Sequence, residues 1–272
     1  MTTKLASIRF WNGNKSTPRQ RYEAELTRQL LSRINPCLNL EIDHSDRLTA
    51  QAEADIFQEG KDLLVTVAGN PKFDGVEKRI ISTPIAFGIL GCRIPIYRRD
   101  QRDHILARSR TPFNQASIAL PADWADVAIF QSNGCTVVPQ TSLEACFEQV
   151  ACGRADYLCL GANEVQAVFE AFGKAHPDLM IATDQVLYYP MPLQFYCHPD
   201  ASTLQAQLTA ALSEHQRAGD LFALFERHFG PQISALGLSR RRIHLMQNPY
   251  VKNQSSLTKM LSPLLQMAQP AR

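Results

Sequence analysis

The chain contains 272 residues, of which 45% are hydrophobic and 20% are charged, a composition typical of a globular protein with a buried core. Its 28 Lys and Arg residues almost balance its 26 Asp and Glu residues, giving a net charge of +2. Because domains that bind polyanions usually carry a larger basic excess, nucleic acid is not an expected partner. No apolar run in the sequence is long enough to span a bilayer, so membrane insertion is not expected either.

The first third of the chain alternates between strand and helix patterns. The predicted strands are Ser7–Trp11, Leu38–Ile42 and Asp62–Val67, and the predicted helices are Arg19–Ile34 and Thr49–Glu59. The third strand is an apolar run rich in β-branched residues, which suits burial on both faces of a sheet. This alternation predicts a parallel sheet covered by helices.

A second series of the same kind follows the polar stretch at 98–110. Its predicted strands are Ser117–Leu120, Cys135–Val138, Asp156–Leu160 and Leu179–Ala182. Its predicted helices are Asp123–Gln131, Ser142–Ala151 and Glu164–Phe172. The chain is therefore expected to be an α/β protein with two successive Rossmann-like units and a ligand cleft between them.

The last part of the chain contains weaker patterns. They predict a strand at Leu193–Cys197, helices at Leu204–His215 and Asp220–Phe229, a short strand at Ile243–Met246, and a peripheral helix or partly disordered tail at Ser255–Arg272. Gly230 is expected to end the second of these helices, because glycine is the usual residue just past a helix C-terminus.

The sequence does not group the cysteines or other residues that could bind a metal ion or act as nucleophiles. The seven cysteines form no C-x-x-C pair, so neither a metal site nor a redox motif is predicted. Cys146 and Cys159 lie among apolar residues, where a thiol usually behaves as a small buried hydrophobe. The sequence contains no phosphate loop, no dinucleotide fingerprint and no recognisable catalytic triad. We therefore expect no cofactor, no metal and no catalytic residues.

Four segments, taken in order, resemble the type II periplasmic solute-binding proteins, specifically the amino-acid-type extracellular binding proteins of family 3. They are Val76–Arg79 with Ile81–Pro84, Ser142–Ala145 with Cys152–Asp156, Pro192–Tyr196, and Leu204–Gly230. They resemble the family's T-x-E-R and F-S-x-P stretches, its S-x-x-E-A and G-R-x-D block, its return strand and its closing helix pair. The likeness covers roughly residues 5–230.

The resemblance implies two lobes with mixed sheets, joined by two hinge strands. Lobe 1 would comprise residues 1–98 and 189–272, including a C-terminal extension, and the inserted lobe 2 would comprise residues 99–188. Both crossings between the lobes would lie near Arg99 and Tyr188. Ligand-driven hinge closure would be the working motion.

The resemblance also implies a function. The chain would be a non-enzymatic, periplasmic protein that binds a small polar, carboxylate-bearing ligand, such as an amino acid or an organic acid. It would deliver this ligand to an ABC permease or report it to a membrane sensor. The N-terminal residues show no apolar secretion signal, so either the protein is cytoplasmic or the signal has been removed. The periplasmic location that the resemblance implies requires the second.

Arg79 is the first candidate for ligand contact. In the family the matching arginine grips the ligand carboxylate, because a planar guanidinium can donate two parallel hydrogen bonds. The alternative is a surface arginine in a charged turn beside Glu77 and Lys78.

Further candidates lie at the ends of two predicted strands of lobe 1. Asn70, Lys72 and Phe73 follow the strand Asp62–Val67, although Gly, Asn and Pro also make this stretch an ordinary turn. The resemblance places Trp11 and Asn12 against the ligand as well, and burial of Trp11 in the core is the alternative.

The second lobe contributes four candidates. Asp123 and Trp124 open a helix whose N-terminus would suit an anionic ligand group, although Asp123 also fits a helix cap. Amino-acid binders commonly place an aspartate for the ligand ammonium where this chain has Gly161. Asn163 and Glu164 follow it, and Glu164 either compensates for the missing aspartate or complements the dipole of the helix that it starts.

An enzyme on the same scaffold, such as a dehydratase of small acids, is the alternative function. It would need a general acid or base, for which Glu164 and Asp74 are the only nominees.

Overall fold

The computed structural model describes residues 7–107, 116–252, 254 and 261–267. The chain divides into two compact units. Unit 1 consists of the chain up to Ala86 together with Pro192–Pro231. Unit 2 consists of Phe87–Met191 and the chain from Gln232 onward.

The sheet of unit 1 has five strands in the order β2-β1-β3-β11-β4. They are β1 (Ser7–Trp11), β2 (Asn39–Asp43), β3 (Leu63–Val67), β4 (Arg79–Ile81) and β11 (Leu193–Cys197). The first three are parallel, whereas β11 runs antiparallel to both β3 and β4. The three strands that were predicted to be parallel are parallel, and the sheet as a whole is mixed because β11 lies between β3 and β4.

Four helices belong wholly or mainly to this unit. They are α1 (Thr17–Ile34), α2 (Ala50–Ala54), α7 (Ser202–Arg217) and α8 (Asp220–Leu236). The helix predicted at Thr49–Glu59 is shorter than expected, because a 3-10 turn at Asp55–Phe57 replaces its second half. Tyr22 and Leu26 of α1 are fully buried, and the Tyr22 ring contacts the rings of Phe225 and Phe229 on α8.

The sheet of unit 2 has seven strands, six of them in the order β12-β10-β5-β8-β6-β7, with β9 also paired to β5. They are β5 (Cys92–Arg98), β6 (Ser117–Pro121), β7 (Thr136–Gln140), β8 (Tyr157–Gly161), β9 (Leu179–Ile181), β10 (Gln185–Tyr188) and β12 (Arg242–Leu245). β6 is parallel to β7 and β8, and β5 is antiparallel to β8. The predicted class, two α/β units with mixed sheets, is confirmed.

In the described residues, five helices accompany this sheet. They are α3 (Arg102–Ala107), α4 (Asp126–Ser132), α5 (Leu143–Ala151), α6 (Val165–Phe172) and α9 (Leu261–Met267). α9 lies within the tail for which a peripheral helix was one expectation, and the other residues of 255–272 are outside the described part of the chain. α4 begins at Asp126 instead of the predicted Asp123, since Ala122–Ala125 form turns.

The C-terminal segment is assigned differently from the expected division at 1–98, 99–188 and 189–272. Residues from Gln232 onward belong to unit 2, because β12 pairs with β10 in parallel. Asn133 reinforces this attachment by bonding both the backbone oxygen and the backbone nitrogen of Gln247. β5, which was expected in lobe 1, is likewise a strand of the unit 2 sheet. The chain thus crosses between the units three times.

The end of α8 differs from the prediction for a physical reason. Gly230 was expected to terminate this helix, but the helix continues through Gly230 and Pro231 to Leu236. Gly230 is not among the glycines with positive φ, whereas Gly237 has a φ of 57°. The left-handed residue that a helix C-terminus favours is therefore Gly237.

All seven cysteines lie in the described residues, and all are free thiols. Cys146 and Cys159 are buried as expected. Burial raises the pKa of Cys146 to about 12, and the pKa of Cys159 is raised for the same reason. Since the thiolate is the reactive form, these side chains are inert packing groups at neutral pH.

Among the described helices, none combines the length and the apolar character that crossing a membrane requires.

Arg241 tests the attachment of the C-terminal segment to unit 2. Its guanidinium donates to the backbone oxygens of Ala182, Gln185 and Leu236. Arg241→Ala leaves buried carbonyl groups without donors, and we expect it to lower the free energy of unfolding by about 2–4 kcal/mol. Urea unfolding at neutral pH measures the change. Arg240→Ala is the matched control, because Arg240 is exposed. Equal losses in the two variants would contradict this role of Arg241.

Candidate functional site

Ligands of α/β sheets bind where parallel strands end in loops, so the carboxyl edge of each sheet is the surface of interest. In unit 1 this edge consists of the loops after β1, β2 and β3. In unit 2 it consists of the loops after β6, β7 and β8. The candidate residues differ in their position relative to these two edges.

Trp11 and Phe73 are part of the core of unit 1. Trp11 is 2% exposed and Phe73 is 1% exposed, and both belong to a cluster with Leu64 and Tyr196. The indole Nε1 of Trp11 donates to the backbone oxygen of Ser45 at 2.9 Å. These positions favour the packing alternative that the sequence left open for Trp11.

Asn12 is fully buried and ties the loop after β1 to α1. Its Nδ2 donates to the backbone oxygen of Gln20 at 2.9 Å, and Gln20 Nε2 donates back to the Asn12 backbone oxygen at 3.0 Å. The Asn12 Oδ1 has no hydrogen-bond partner in the structure as described. Asn12 thus holds the loop in place mainly through its amide nitrogen.

Asn70 and Lys72 lie at the carboxyl edge, in the loop after β3. Asn70 caps the 3-10 turn Pro71–Phe73, because its Oδ1 accepts from the Lys72 backbone nitrogen at 3.1 Å. Lys72 Nζ forms an ion pair with Glu53 Oε1 at 2.7 Å. The loop forms the turn that was one alternative from the sequence, and ligand contact by Asn70 and Lys72, the other alternative, stays a prediction.

Arg79 lies at the opposite end of the same sheet. It is the first residue of β4 and pairs with Cys197 of β11. Cys197 also pairs with Leu63, the first residue of β3, so Arg79 and Leu63 lie at the same edge of the sheet. Val67, at the carboxyl end of β3, is four residues further on, about 13 Å at 3.3 Å per residue. The Arg79 Nε donates to the backbone oxygen of Pro199 at 2.5 Å. The side chain is therefore bonded at the amino edge.

A buried charge cluster, formed by Lys15, Arg19 and Glu23, supports the carboxyl edge of unit 1. The fully buried Glu23 accepts from Lys15 Nζ at 2.7 Å and from Arg19 Nε at 2.6 Å. Lys15 Nζ also donates to the backbone oxygen of Val65 on β3 at 3.0 Å. Burial lowers the pKa of Lys15 to about 8, against the opposing effect of Glu23. This cluster fixes the loop after β1 against β3.

In unit 2 the loop after β6 contains Asp123 and Trp124. Asp123 is exposed, Trp124 is partly buried, and the Trp124 backbone nitrogen donates to the Pro121 oxygen at 3.1 Å. Both residues thus lie at the carboxyl edge of the sheet. The Ala122 nitrogen bonds the Gln140 oxygen at 2.9 Å, which joins this loop to the end of β7.

Asn163 and Glu164 converge on Gly161, the last residue of β8. A Cβ atom built on Gly161 would lie 2.4 Å from Asn163 Oδ1 and 3.2 Å from Glu164 Oε1. Asn163 is 3% exposed, and its Oδ1 has no hydrogen-bond partner within the described structure. Two oxygen acceptors therefore occupy the space above the residue where the family's aspartate was expected.

A second buried cluster, formed by Arg93, Asp126 and Tyr189, lies beside them. Arg93 on β5 is paired in register with Gly161. Its Nη2 is 2.6 Å from Asp126 Oδ1, and its Nε donates to the Tyr189 hydroxyl oxygen at 2.7 Å. Tyr189 in turn donates to Asp126. Burial raises the pKa of Tyr189, so its hydroxyl remains a donor.

Asp74, one of the nominees for a general acid or base, is exposed and follows the 3-10 turn after β3. Among the residues that the structure describes, no group of three or more His, Cys, Asp and Glu side chains is arranged to hold a metal ion.

The two buried clusters were missed by the sequence analysis. Arg93 is the only charged residue between Gly88 and Tyr97, a run that is otherwise almost entirely apolar. A charge in such a run must be paired, since an isolated buried charge is very costly, and that signal identifies Arg93. Its partners Asp126 and Tyr189 are distant in sequence and cannot be identified without the fold.

The pH dependence of stability tests the burial of Lys15. The pKa of Lys15 is about 8 in the folded protein, below the usual 10.5. Between pH 8 and pH 10.5 the unfolded chain therefore binds more protons at this residue than the folded protein does. As a result, Lys15 makes the free energy of unfolding rise with pH in this range. Relative to Lys15→Met, the natural protein should gain on the order of 2–3 kcal/mol from pH 8 to 10.5. Denaturant unfolding across this range measures the difference.

Lys174→Met is the control for this comparison, because Lys174 is exposed and should leave the pH dependence unchanged. Buried tyrosines and cysteines also titrate at high pH, but they are present in all three proteins and cancel. Parallel pH curves for Lys15→Met and the natural protein would contradict the burial of Lys15.

No family model matches the chain, and no curated protein matches it either. Solved structures do match. The chain is similar to a periplasmic His/Glu/Gln/Arg/opine family-binding protein from Silicibacter pomeroyi in complex with lysine, with 15% identity and a TM-score of 0.57 over 82% of this chain and 97% of that one.

Two further solved structures are similar over most of the chain. One is a probable amino-acid ABC transporter extracellular-binding protein from Bacillus subtilis, with 11% identity and a TM-score of 0.61 over 84% of this chain and 99% of that one. The other is the VFT2 domain of BvgS from Bordetella pertussis, with 18% identity and a TM-score of 0.57 over 81% and 92% of the two chains. At these identities the likeness concerns the fold, and the chain has the fold of the type II periplasmic binding proteins.

Proposed function

We propose that the chain is a non-enzymatic binding protein for a small polar solute that carries an amine. In unit 2 the ligand contacts would come from the carboxyl edge of its sheet. Asn163 and Glu164 of unit 2 would accept hydrogen bonds from the ligand's ammonium group. The similar solved structures include a protein in complex with lysine, which supports a solute-binding role for this fold.

One observation carries this proposal, namely the pair of oxygens above Gly161. The Oδ1 of Asn163 is buried without a partner among the described residues, which is costly unless a donor reaches it. The carboxylate of Glu164 adds negative charge beside it. An ammonium group supplies up to three donors and a positive charge, so it satisfies the Asn163 oxygen and complements the charge of the neighbouring carboxylate.

Asp126 does not serve as the acceptor in this proposal, because Arg93 and Tyr189 already engage its carboxylate. The role of the Arg93–Asp126–Tyr189 cluster is to hold the start of α4 next to β5. This positions the loop that contains Asp123 and Trp124, which we propose as a second contact region of unit 2.

Recognition of a ligand carboxylate by Arg79, which the family resemblance implies, is not part of the proposal. The bond to Pro199 directs the Arg79 side chain to the amino edge of the unit 1 sheet, away from the loops after the parallel strands. Within unit 1, the loop after β3 with Asn70 and Lys72 is the candidate for contact with a carboxylate.

We further propose an extracytoplasmic location and delivery of the solute to an ABC permease. The similarity to an ABC transporter extracellular-binding protein supports delivery. A similar solved structure is a histidine kinase sensor domain, which makes a membrane sensor the alternative partner. A permease gene adjacent to the gene for this chain would support transport.

A thermal-shift screen against amino acids, polyamines and organic acids tests the ligand class. Amine-bearing compounds should raise the melting temperature, because a ligand that binds only the folded state stabilises it. Organic acids without an amine should not. Stabilisation by amine-free acids alone would contradict the proposal.

Calorimetry with the best ligand of this screen then tests the residues. Asn163→Ala and Glu164→Gln should each weaken binding roughly 10- to 100-fold, the effect of losing a hydrogen bond to a charged group. Arg79→Ala is the matched control and should leave the affinity unchanged. Loss of binding in Arg79→Ala, with normal affinity in the other two variants, would restore the arginine anchor and remove Asn163 and Glu164 from the site.

A further inference from the structure

A surface cavity of about 590 Å³ that is open to solvent lies in unit 1 among α1, α7 and α8, apart from the loops of the carboxyl edge. Arg28 and Arg33 of α1, His215 of α7, and Asp220 and Arg227 of α8 line it. Its volume is in the range of small-molecule sites. None of these residues takes part in the proposed solute site.

The charged groups of this cavity are predominantly basic. Three arginines and one carboxylate, that of Asp220, line it. Asp220 is paired with Arg33, and Arg227 is paired with Glu25, which is not a lining residue. Arg28 forms no ion pair or hydrogen bond with any residue that the structure describes. At least one guanidinium is thus available to a ligand, in a surrounding that favours negative charge.

His215 gives an independent indication of a ligand. Its ring is 3% exposed, and its Nε2 is bonded to Gln29 Oε1 at 2.9 Å. Its Nδ1 is buried and has no hydrogen-bond partner within the described residues, and it lies 3.6 Å from Asp220 Oδ2. A buried ring nitrogen without a partner is costly, and a protonated group on a ligand would satisfy it.

We propose that this cavity is a binding site for a phosphate group. Guanidinium groups bind phosphate through parallel hydrogen bonds. The three arginines, with the hydroxyl of Ser32, offer more donors than the two oxygens of a carboxylate can use, whereas a phosphate has three or four oxygens. A monohydrogen phosphate also has a hydroxyl, which can donate to His215 Nδ1.

Calorimetric titration of the full chain with inorganic phosphate tests the site. Saturable binding of one phosphate per chain is expected, and Arg28→Ala should weaken it roughly 10- to 100-fold, as expected for loss of a charge-assisted contact. Arg217→Ala is the matched control, since Arg217 is an exposed arginine of α7 that does not line the cavity. Binding of the amine-bearing solute should be unchanged in both variants, which separates this site from the proposed function.

Cosedimentation with vesicles distinguishes the two sources of a phosphate group. Vesicles of phosphatidylglycerol are compared with vesicles of phosphatidylcholine, using the natural chain and both variants. Saturable binding of inorganic phosphate that depends on Arg28 supports a free phosphate compound. Binding only to phosphatidylglycerol vesicles, lost in Arg28→Ala and kept in Arg217→Ala, supports a lipid headgroup. Binding to neither, or equal binding by the two variants, would overturn the proposal.

Discussion

The hydrogen-bond register of β11 determines where the charged side chains of unit 1 can act. β11 is antiparallel to both of its neighbours, so β3 and β4 run in the same direction. Cys197 of β11 pairs with the first residue of each, Leu63 and Arg79. As a result Arg79 starts its strand at the amino edge, while Asn70 and Lys72 follow a strand that ends at the carboxyl edge. A one-residue shift in register would turn every side chain of a strand to the other face of the sheet, so the register is strongly constrained by the buried residues of β3.

Each unit uses a buried ion pair to hold the loop that follows its first parallel strand. In unit 1, Lys15 and Glu23 connect the loop after β1 to α1 and β3. In unit 2, Asp126 and Arg93 connect the first turn of α4 to β5. Removing one partner of a buried pair leaves an uncompensated charge, which typically costs several kcal/mol. Such pairs keep the carboxyl edge rigid, which favours a binding surface that is formed before the ligand arrives.

The sequence predicted most of the fold because its local patterns were strong. The apolar run of β3 and the periodic face of α1 identified these elements almost to the residue. Three strands escaped prediction, namely β4, β5 and β10, since short or continuously apolar segments between loops have no periodicity that distinguishes them. The end of α8 was misplaced because Gly230 resembled a terminating glycine, although Gly237 is the residue in the left-handed conformation.

The candidate site was harder to predict than the fold. Motif likeness pointed to Arg79, but the register of β4, which no local pattern reveals, placed its side chain at the amino edge. Asn163 and Glu164 were named from their position after β8, and only the three-dimensional structure shows both oxygens above Gly161. The buried clusters join residues up to 96 positions apart, as between Arg93 and Tyr189, and such pairings follow from the fold alone.

A crystal structure of the chain with an amine-bearing solute tests the central claim most directly. The proposal predicts that the ligand's nitrogen lies within hydrogen-bond distance of Asn163 Oδ1 and Glu164 Oε1, with the Arg79 side chain still bonded to Pro199. A ligand whose carboxylate is held by Arg79, or whose amine contacts neither Asn163 nor Glu164, would contradict it.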